Sequence, residues 1–213
     1  MKKVFFAVVL LSVAFAISRV HAVTGIFGSY VGIDANGAGN VWYGAQEWGN
    51  PTPDFQGASF GSINYTTGSL EISAFQVQTF KGGGGDVTGA DLYYRVYKQG
   101  NAPGSFNIVD GDFLSNSPFT AANGSTASGG GDQNWGVGGG GGYANLLTGV
   151  NSNGAWTVEI YFQASSNEGP RFSNNGGLNY IATFDAVPEP STYALLGLAA
   201  VGLGAHIARR RRL

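Results

Sequence analysis

The chain has 213 residues, no cysteine, two histidines and 36 glycines, and only 11% of it is charged. Without cysteine there is neither a disulfide framework nor a thiolate zinc site. Both histidines, His21 and His206, lie in apolar terminal segments, so the middle of the chain lacks the imidazole that Ser-His-Asp, Cys-His and the usual zinc hydrolase sites require. Between Val23 and Pro190 all 13 acidic residues stand against four basic ones, Lys81, Arg95, Lys98 and Arg171, a net charge of −9 where the whole chain has −2. Such a surface argues against nucleic acid as a partner, because phosphate contacts need a basic patch.

In chain order, Met1 to Ala22 has the layout of a secretory signal. Lys2 and Lys3 are followed by the apolar stretch Val4 to Ile17, then by Val20 and Ala22 flanking His21, and signal peptidase is expected to cut after Ala22. An apolar stretch of about 14 residues rises roughly 21 Å as a helix, short of the roughly 30 Å hydrocarbon core, which argues against a permanent anchor. Residues 23–186 then read as one extracytoplasmic domain, all-β, an antiparallel β-sandwich or jelly roll with Gly-rich loops. Short strands are expected at Tyr30 to Ile33, Val41 to Tyr43 and Ala58 to Ile63. Ser69 to Phe80 alternates as Leu70, Ile72 and Ala74 and then changes phase to Phe75 and Val77, which predicts a β-bulge near Ala74 or a strand that switches sheets. After the Gly82 to Gly85 connection, Asp91 to Tyr97 puts Leu92, Tyr94 and Val96 on one face and Tyr93, Arg95 and Tyr97 on the other. Ser105 to Val109 is a further short strand.

Thr120 to Gly142, dominated by Gly, Ser, Ala and Asn around Gln133-Asn134-Trp135, reads as one long loop. The clearest strand follows it: Trp156, Val158, Ile160 and Phe162 share one face of Trp156 to Gln163, and Thr157, Glu159 and Gln163 the other. On that polar face Glu159 is expected to be a solvated carboxylate. The cluster Asn174 to Gly177 supplies a turn into a strand over Leu178 to Phe184, which is expected to lie beside Trp156 to Gln163.

Three groups of side chains are candidates for chemistry. Asp110, Asp112 and Asp132 offer oxygen ligands of the kind Ca²⁺ selects, although Asx turns account for them better and no cofactor is expected. Among Trp42, Tyr43, Trp48, Trp135 and Tyr143, aromatic rings outside the strongest strands, Trp135 with Asn134 and Gln133 beside it is the first candidate to stack on a sugar, and Tyr143 the next. The carboxylates Glu47, Asp54, Glu71, Asp110, Asp112, Glu159 and Glu168 leave room for a paired-carboxylate glycosidase, but sequence pairs none of them in space. Gly136 to Gly141 satisfies a dinucleotide-loop pattern that any oligoglycine satisfies, and another loop follows it rather than a helix.

The chain closes on Val187, Pro188, Glu189, Pro190, Ser191, Thr192 and Tyr193, then the apolar run Ala194 to Ala208, then Arg209, Arg210, Arg211 and Arg212 before Leu213. The two prolines hold the backbone extended and present the Glu189 carboxylate between them. Ser191 to Ala208 would make roughly 27 Å of helix, enough to cross a bilayer, and the arginines would keep the far end cytoplasmic. Order and spacing resemble the PEP-CTERM tail of exosortase substrates. That resemblance covers only Val187 to Leu213, and it implies that Pro188, Glu189 and Pro190 are recognised by an exosortase and that the helix and arginines are removed. It also implies a membrane-anchored precursor that ends at the cell surface or outside the cell, in hosts that make exopolysaccharide, which becomes a candidate partner. The expectation for the body is a non-enzymatic structural or adhesive protein, with a carbohydrate-binding module and a glycosidase as the alternatives.

Overall fold

The computed structural model describes residues 23–138 and 141–188, together with Leu198 and Val201. Fourteen strands follow one another in it. They are Val23–Ala35 (β1), Asn40–Gln46 (β2), Ser59–Asn64 (β3), Leu70–Gly82 (β4), Val87–Lys98 (β5), Asn107–Val109 (β6) and Asp112–Asn116 (β7) in the first half of the chain. Phe119–Thr120 (β8), Thr126–Ala127 (β9), Gln133–Val137 (β10), Ala144–Asn145 (β11), Gly154–Ser166 (β12), Arg171–Ser173 (β13) and Tyr180–Val187 (β14) complete them. One six-stranded sheet, sheet A, has the order β2-β1-β4-β10-β7 with β11 also on β4. The other, sheet B, has the order β3-β14-β12-β5-β6 with β13 also on β12, and β8 and β9 form a separate hairpin.

The alternation seen in the sequence decides which side chains meet between the sheets. Trp156, Val158, Ile160 and Phe162 of β12 and Ala182 and Phe184 of β14 pack in one core with Val31 and Ile33 of β1 and Leu70, Ile72, Phe75 and Val77 of β4. β12 lies beside β14 with Glu159 opposite Ile181, as the sequence predicts. The phase change in β4 is a bulge: its register against β1 slips between Gly32 opposite Ala74 and Ile33 opposite Ile72, so that Ser73 is the extra residue.

Three details differ from the sequence reading. β3 runs parallel to β14, against the antiparallel expectation, because the connection out of β2 passes from sheet A to sheet B and delivers β3 to the edge in the direction of β14. The strand expected from Leu178 starts at Tyr180, since Asn175–Gly177 forms a 3-10 turn and Asn179 takes φ 58°. The long loop expected over Thr120 to Gly142 contains β9 and β10, and β10 is an inner strand of sheet A. Gly136, at φ 142°, allows this: a Cβ there would lie 2.0 Å from the Phe75 carbonyl oxygen, so only glycine lets β10 approach β4.

Candidate functional site

The two outer faces of the sandwich differ, and the face of sheet B gathers the most chemistry. β12 and β5 pair antiparallel with Thr157 opposite Tyr97, Glu159 opposite Arg95 and Tyr161 opposite Tyr93. Because side chains alternate across a strand, these three pairs all point away from the core. Arg95 donates from Nε to Glu159 Oε2 and from Nη2 to Oε1, each at 2.8 Å, in the two-pronged geometry that makes guanidinium–carboxylate pairs strong. Asn179 Nδ2 donates to Oε1 at 2.7 Å and the Tyr97 hydroxyl to Oε2 at 3.2 Å. Glu159 is only 4% exposed, which corrects the expectation of a solvated carboxylate. Flanking strands carry long side chains on the same face, and Asn179 reaches over from the turn before β14, so burial here comes from neighbours in the plane of the sheet. The Arg95 guanidinium lies 4.2 Å from the centre of the Phe106 ring and its Nη1 donates to the Gly104 carbonyl.

Beside this pair is a row of rings. Tyr93 and Tyr161 stack at 4.6 Å with planes 9° apart, Phe106 meets Tyr161 edge-on at 4.9 Å, and Phe172 of β13 tilts against Tyr161 at 6.3 Å. Phe172 is 48% exposed and Ile108, opposite Tyr93 on β6, is 51% exposed. Burial raises the phenols of Tyr93, Tyr97 and Tyr161 above their ordinary value, and the nearby charges of Asp91 and Asp110 for Tyr93, and of Glu159 for Tyr97, push in the same direction. All three therefore stay protonated at neutral pH, and Tyr97 donates its hydroxyl proton to Glu159. Burial likewise raises the Asp91 carboxyl, against the backbone N–H of Gly111, which it accepts at 3.2 Å.

The residues singled out in the sequence lie elsewhere. Trp135 faces the core, 7% exposed and edge-on to Phe113, with its indole N–H buried and without a partner among the described residues, so neither ring face is open to a ligand. Asn134 points to the opposite side of sheet A, where its Oδ1 accepts from Gln78 Nε2 at 3.0 Å. Tyr143 is 45% exposed and borders a cavity of about 270 Å³ with Tyr94, Val96 and Asn107 at the edge between the sheets. Trp48 stacks edge-on against Phe27, and Tyr43 against Phe55 and Phe60, so these rings do not form one flat row with Trp135.

Asp112 and Asp132 stand near opposite ends of β10, since Asp112 pairs with Gly136 and Asn116 with Gln133. Asp132 accepts the N–H of Gly129, a local turn bond. Among the described residues no group of three or more His, Cys, Asp or Glu side chains converges as a metal site would need. Glu47 and Asp54 hold the backbone N–H groups of Thr52 and Gln56, and Glu168 pairs with Arg171 at 3.0 Å.

Sequence reading assigned Tyr93, Arg95 and Tyr97 to one face of a strand without joining them to Glu159 and Tyr161. The available signal was two strands with aromatic and charged residues at alternate positions on the face that ought to be plainly polar. Of the sorting residues, Val187 closes β14 and Pro188 is exposed, while Ala22, Glu189, Pro190, Ser191 and Arg209 to Arg212 lie outside the described residues. Among the described residues no helix is long and apolar enough to cross a membrane.

Comparison with known proteins adds one finding. Residues 186–212 match the family described as the PEP-CTERM protein-sorting motif, so the C-terminal segment carries the sorting signal of exported, exosortase-processed proteins. No curated protein matches the chain.

Proposed function

We propose that this chain is an exported structural or adhesive protein, without enzymatic activity, that an exosortase-type enzyme releases from its membrane tail into an extracellular polymer layer. The observation that carries the reading is the sorting motif at residues 186–212, joined to an all-β domain whose best-organised polar cluster is closed on itself. Glu159, the most buried carboxylate of the former glycosidase candidates, has both oxygens occupied by Arg95, Tyr97 and Asn179, which leaves it no free lone pair aimed at a substrate. The acidic surface favours a neutral polymer over a polyanionic one.

A second reading, a carbohydrate-binding module, draws on the ring row of sheet B rather than on Trp135. Phe172 and the outer edges of Tyr161 and Tyr93 are accessible there, next to phenol donors. Mass measurement of the protein purified from its host tests the first reading: a product that starts at Val23 and ends within Val187 to Ser191 is expected, and a full-length chain in the same cells refutes it. Retention on the host's own polysaccharide that a soluble fragment of the same sugar competes away favours the module, and no retention on any glycan leaves the structural reading standing.

A further inference from the structure

β14 runs directly into the sorting segment. Ala186 pairs with Gly154 of β12 and with Ile63 of β3, Val187 pairs with Asn64, and the Val187 carbonyl accepts the N–H of Tyr65 at 3.2 Å. Pro188, exposed and without an N–H, ends the ladder. No linker stands between the folded domain and the motif. From Val187 to Ser191, where the apolar run can begin a helix, is four residues, at most about 14 Å of extended chain. A headgroup layer takes up roughly 5–8 Å of that on each side of the bilayer. With the tail in the membrane, this end of the sandwich is therefore held within several ångströms of the headgroups.

The composition of that end fits the position. Among the described residues four connections form it: 36–39, 65–69, 99–104 and 148–153. They are tied to it by Asn36 N–H to Ser69 O (2.8 Å), Gln99 N–H to Ala155 O (3.0 Å) and Lys98 Nζ to Ser152 Oγ (3.1 Å). None of these connections contains a charged residue, in a chain with 13 acidic ones. Apart from Glu189 of the motif itself, the nearest carboxylates, Asp34, Glu71 and Asp185, stand one or two residues inside the strand ends, and Asp34 accepts the N–H of Gly39. The opposite end, where β1 starts at Val23 beside Gly82 and β12 finishes at Ser166, carries the Lys81–Asp86 and Glu168–Arg171 pairs and Asp132. A carboxylate pressed against phosphate headgroups is repelled and loses hydration, so a connection that must lie on a membrane does best without one.

We infer that the end formed by these four connections, which hold no carboxylate of their own, is the face the tail-bearing protein applies to the lipid headgroup layer, with the strands standing away from the membrane. The inference rests on the reading of the tail as a membrane-inserted sorting segment. Because the chain has no cysteine, a single one can report position without background. In host cells lacking the exosortase, the full chain would carry Asn101→Cys, Asn151→Cys or, at the far end, Ser128→Cys, each exposed and labelled with a fluorophore. Headgroup-borne nitroxide lipid should quench the labels at 101 and 151 several-fold more than the label at 128. A twenty-residue Gly-Ser insertion between Val187 and Pro188 should remove the difference. Equal quenching at all three positions in membrane-held protein, or stronger quenching at 128, overturns the inference alone. Protein that washes off the host membranes unquenched overturns the tail reading beneath it.

Discussion

The outer faces of the two sheets solve the same problem in opposite ways. Sheet A is roofed by its own chain: Phe119, Ala121 and Ala127 around the β8–β9 hairpin pack with Phe27 and Trp48, and Tyr30 lies wholly buried beneath. The Tyr30 hydroxyl donates to the Trp48 carbonyl at 2.8 Å and accepts the Trp48 N–H at 3.0 Å and the Asn123 amide at 2.8 Å. Among the described residues sheet B has no such roof, and its outward side chains satisfy one another laterally, Glu159 with Arg95 and Tyr161 with Tyr93. A roofed face uses its polar groups to hold a loop and offers little to a partner. An unroofed face keeps its charges paired in the plane and leaves rings at the surface.

The largest expected effect breaks the lateral network. Arg95→Ala leaves the Glu159 carboxylate buried with only two neutral donors, and loss of one partner of a buried pair costs about 3 kcal/mol or more. Thermal unfolding should show it, and the double variant Arg95→Met with Glu159→Leu should recover most of the loss, because no charge then remains to be buried. If Arg95→Ala is as stable as the parent, sheet B is not self-satisfied in the way argued. On the roofed face, Tyr30→Phe removes one hydroxyl that serves three groups, at about 2 kcal/mol for buried partners left unmatched. Faster amide exchange at Trp48 and around Asn123 should accompany it, with sheet B unaffected.

Asp91 sharpens the comparison through pH. It lies on the open face opposite Gln163, and burial raises its carboxyl above the ordinary 3.8. The folded chain therefore holds this proton more tightly than the unfolded one. The resulting stability is complete below the ordinary value and is lost as pH rises through the folded one. Asp91→Asn keeps an acceptor for the Gly111 N–H and removes that loss, so the variant should melt higher than the parent at pH 7 and show no advantage at pH 3. An advantage of equal size at both pH values would mean that the carboxyl is not the cause.

How much of this was legible in the sequence depended on distance along the chain. Period-two runs gave β12, β5 and the inward half of β14, and the phase change from Ala74 to Phe75 pointed to a bulge near Ala74 or a change of sheet, of which the structure has the bulge, at Ser73, because each is a local pattern imposed by the pleat. β10 stayed hidden because the glycine that suggests a loop, Gly136, is there to admit a neighbouring backbone. The fate of Glu159 was hidden as well, since its partner is 64 positions away and only the β12–β5 register brings them together. Asn123, in a sequence with the form of a glycosylation site, uses its amide on Tyr30 and on the carbonyls of Trp48 and Asn50. A pattern of residue types cannot show that an amide is already occupied.

The smallest effect on stability is the most informative about the open face. Phe172 is on the short strand β13, half exposed, and touches Tyr161 on one side only. Phe172→Ala should change stability by about 0.5 kcal/mol or less, as exposed positions usually do. If the unroofed face meets the extracellular polymer, the same substitution should nevertheless weaken retention of the mature protein on that polymer, because it removes the outermost ring of the row. Tyr143→Ala, equally exposed but at the edge between the sheets, is the counterpart. Loss with Phe172→Ala and not with Tyr143→Ala assigns contact to the face of sheet B, whereas the reverse moves it to the cavity beside Tyr94 and makes the openness of the face incidental.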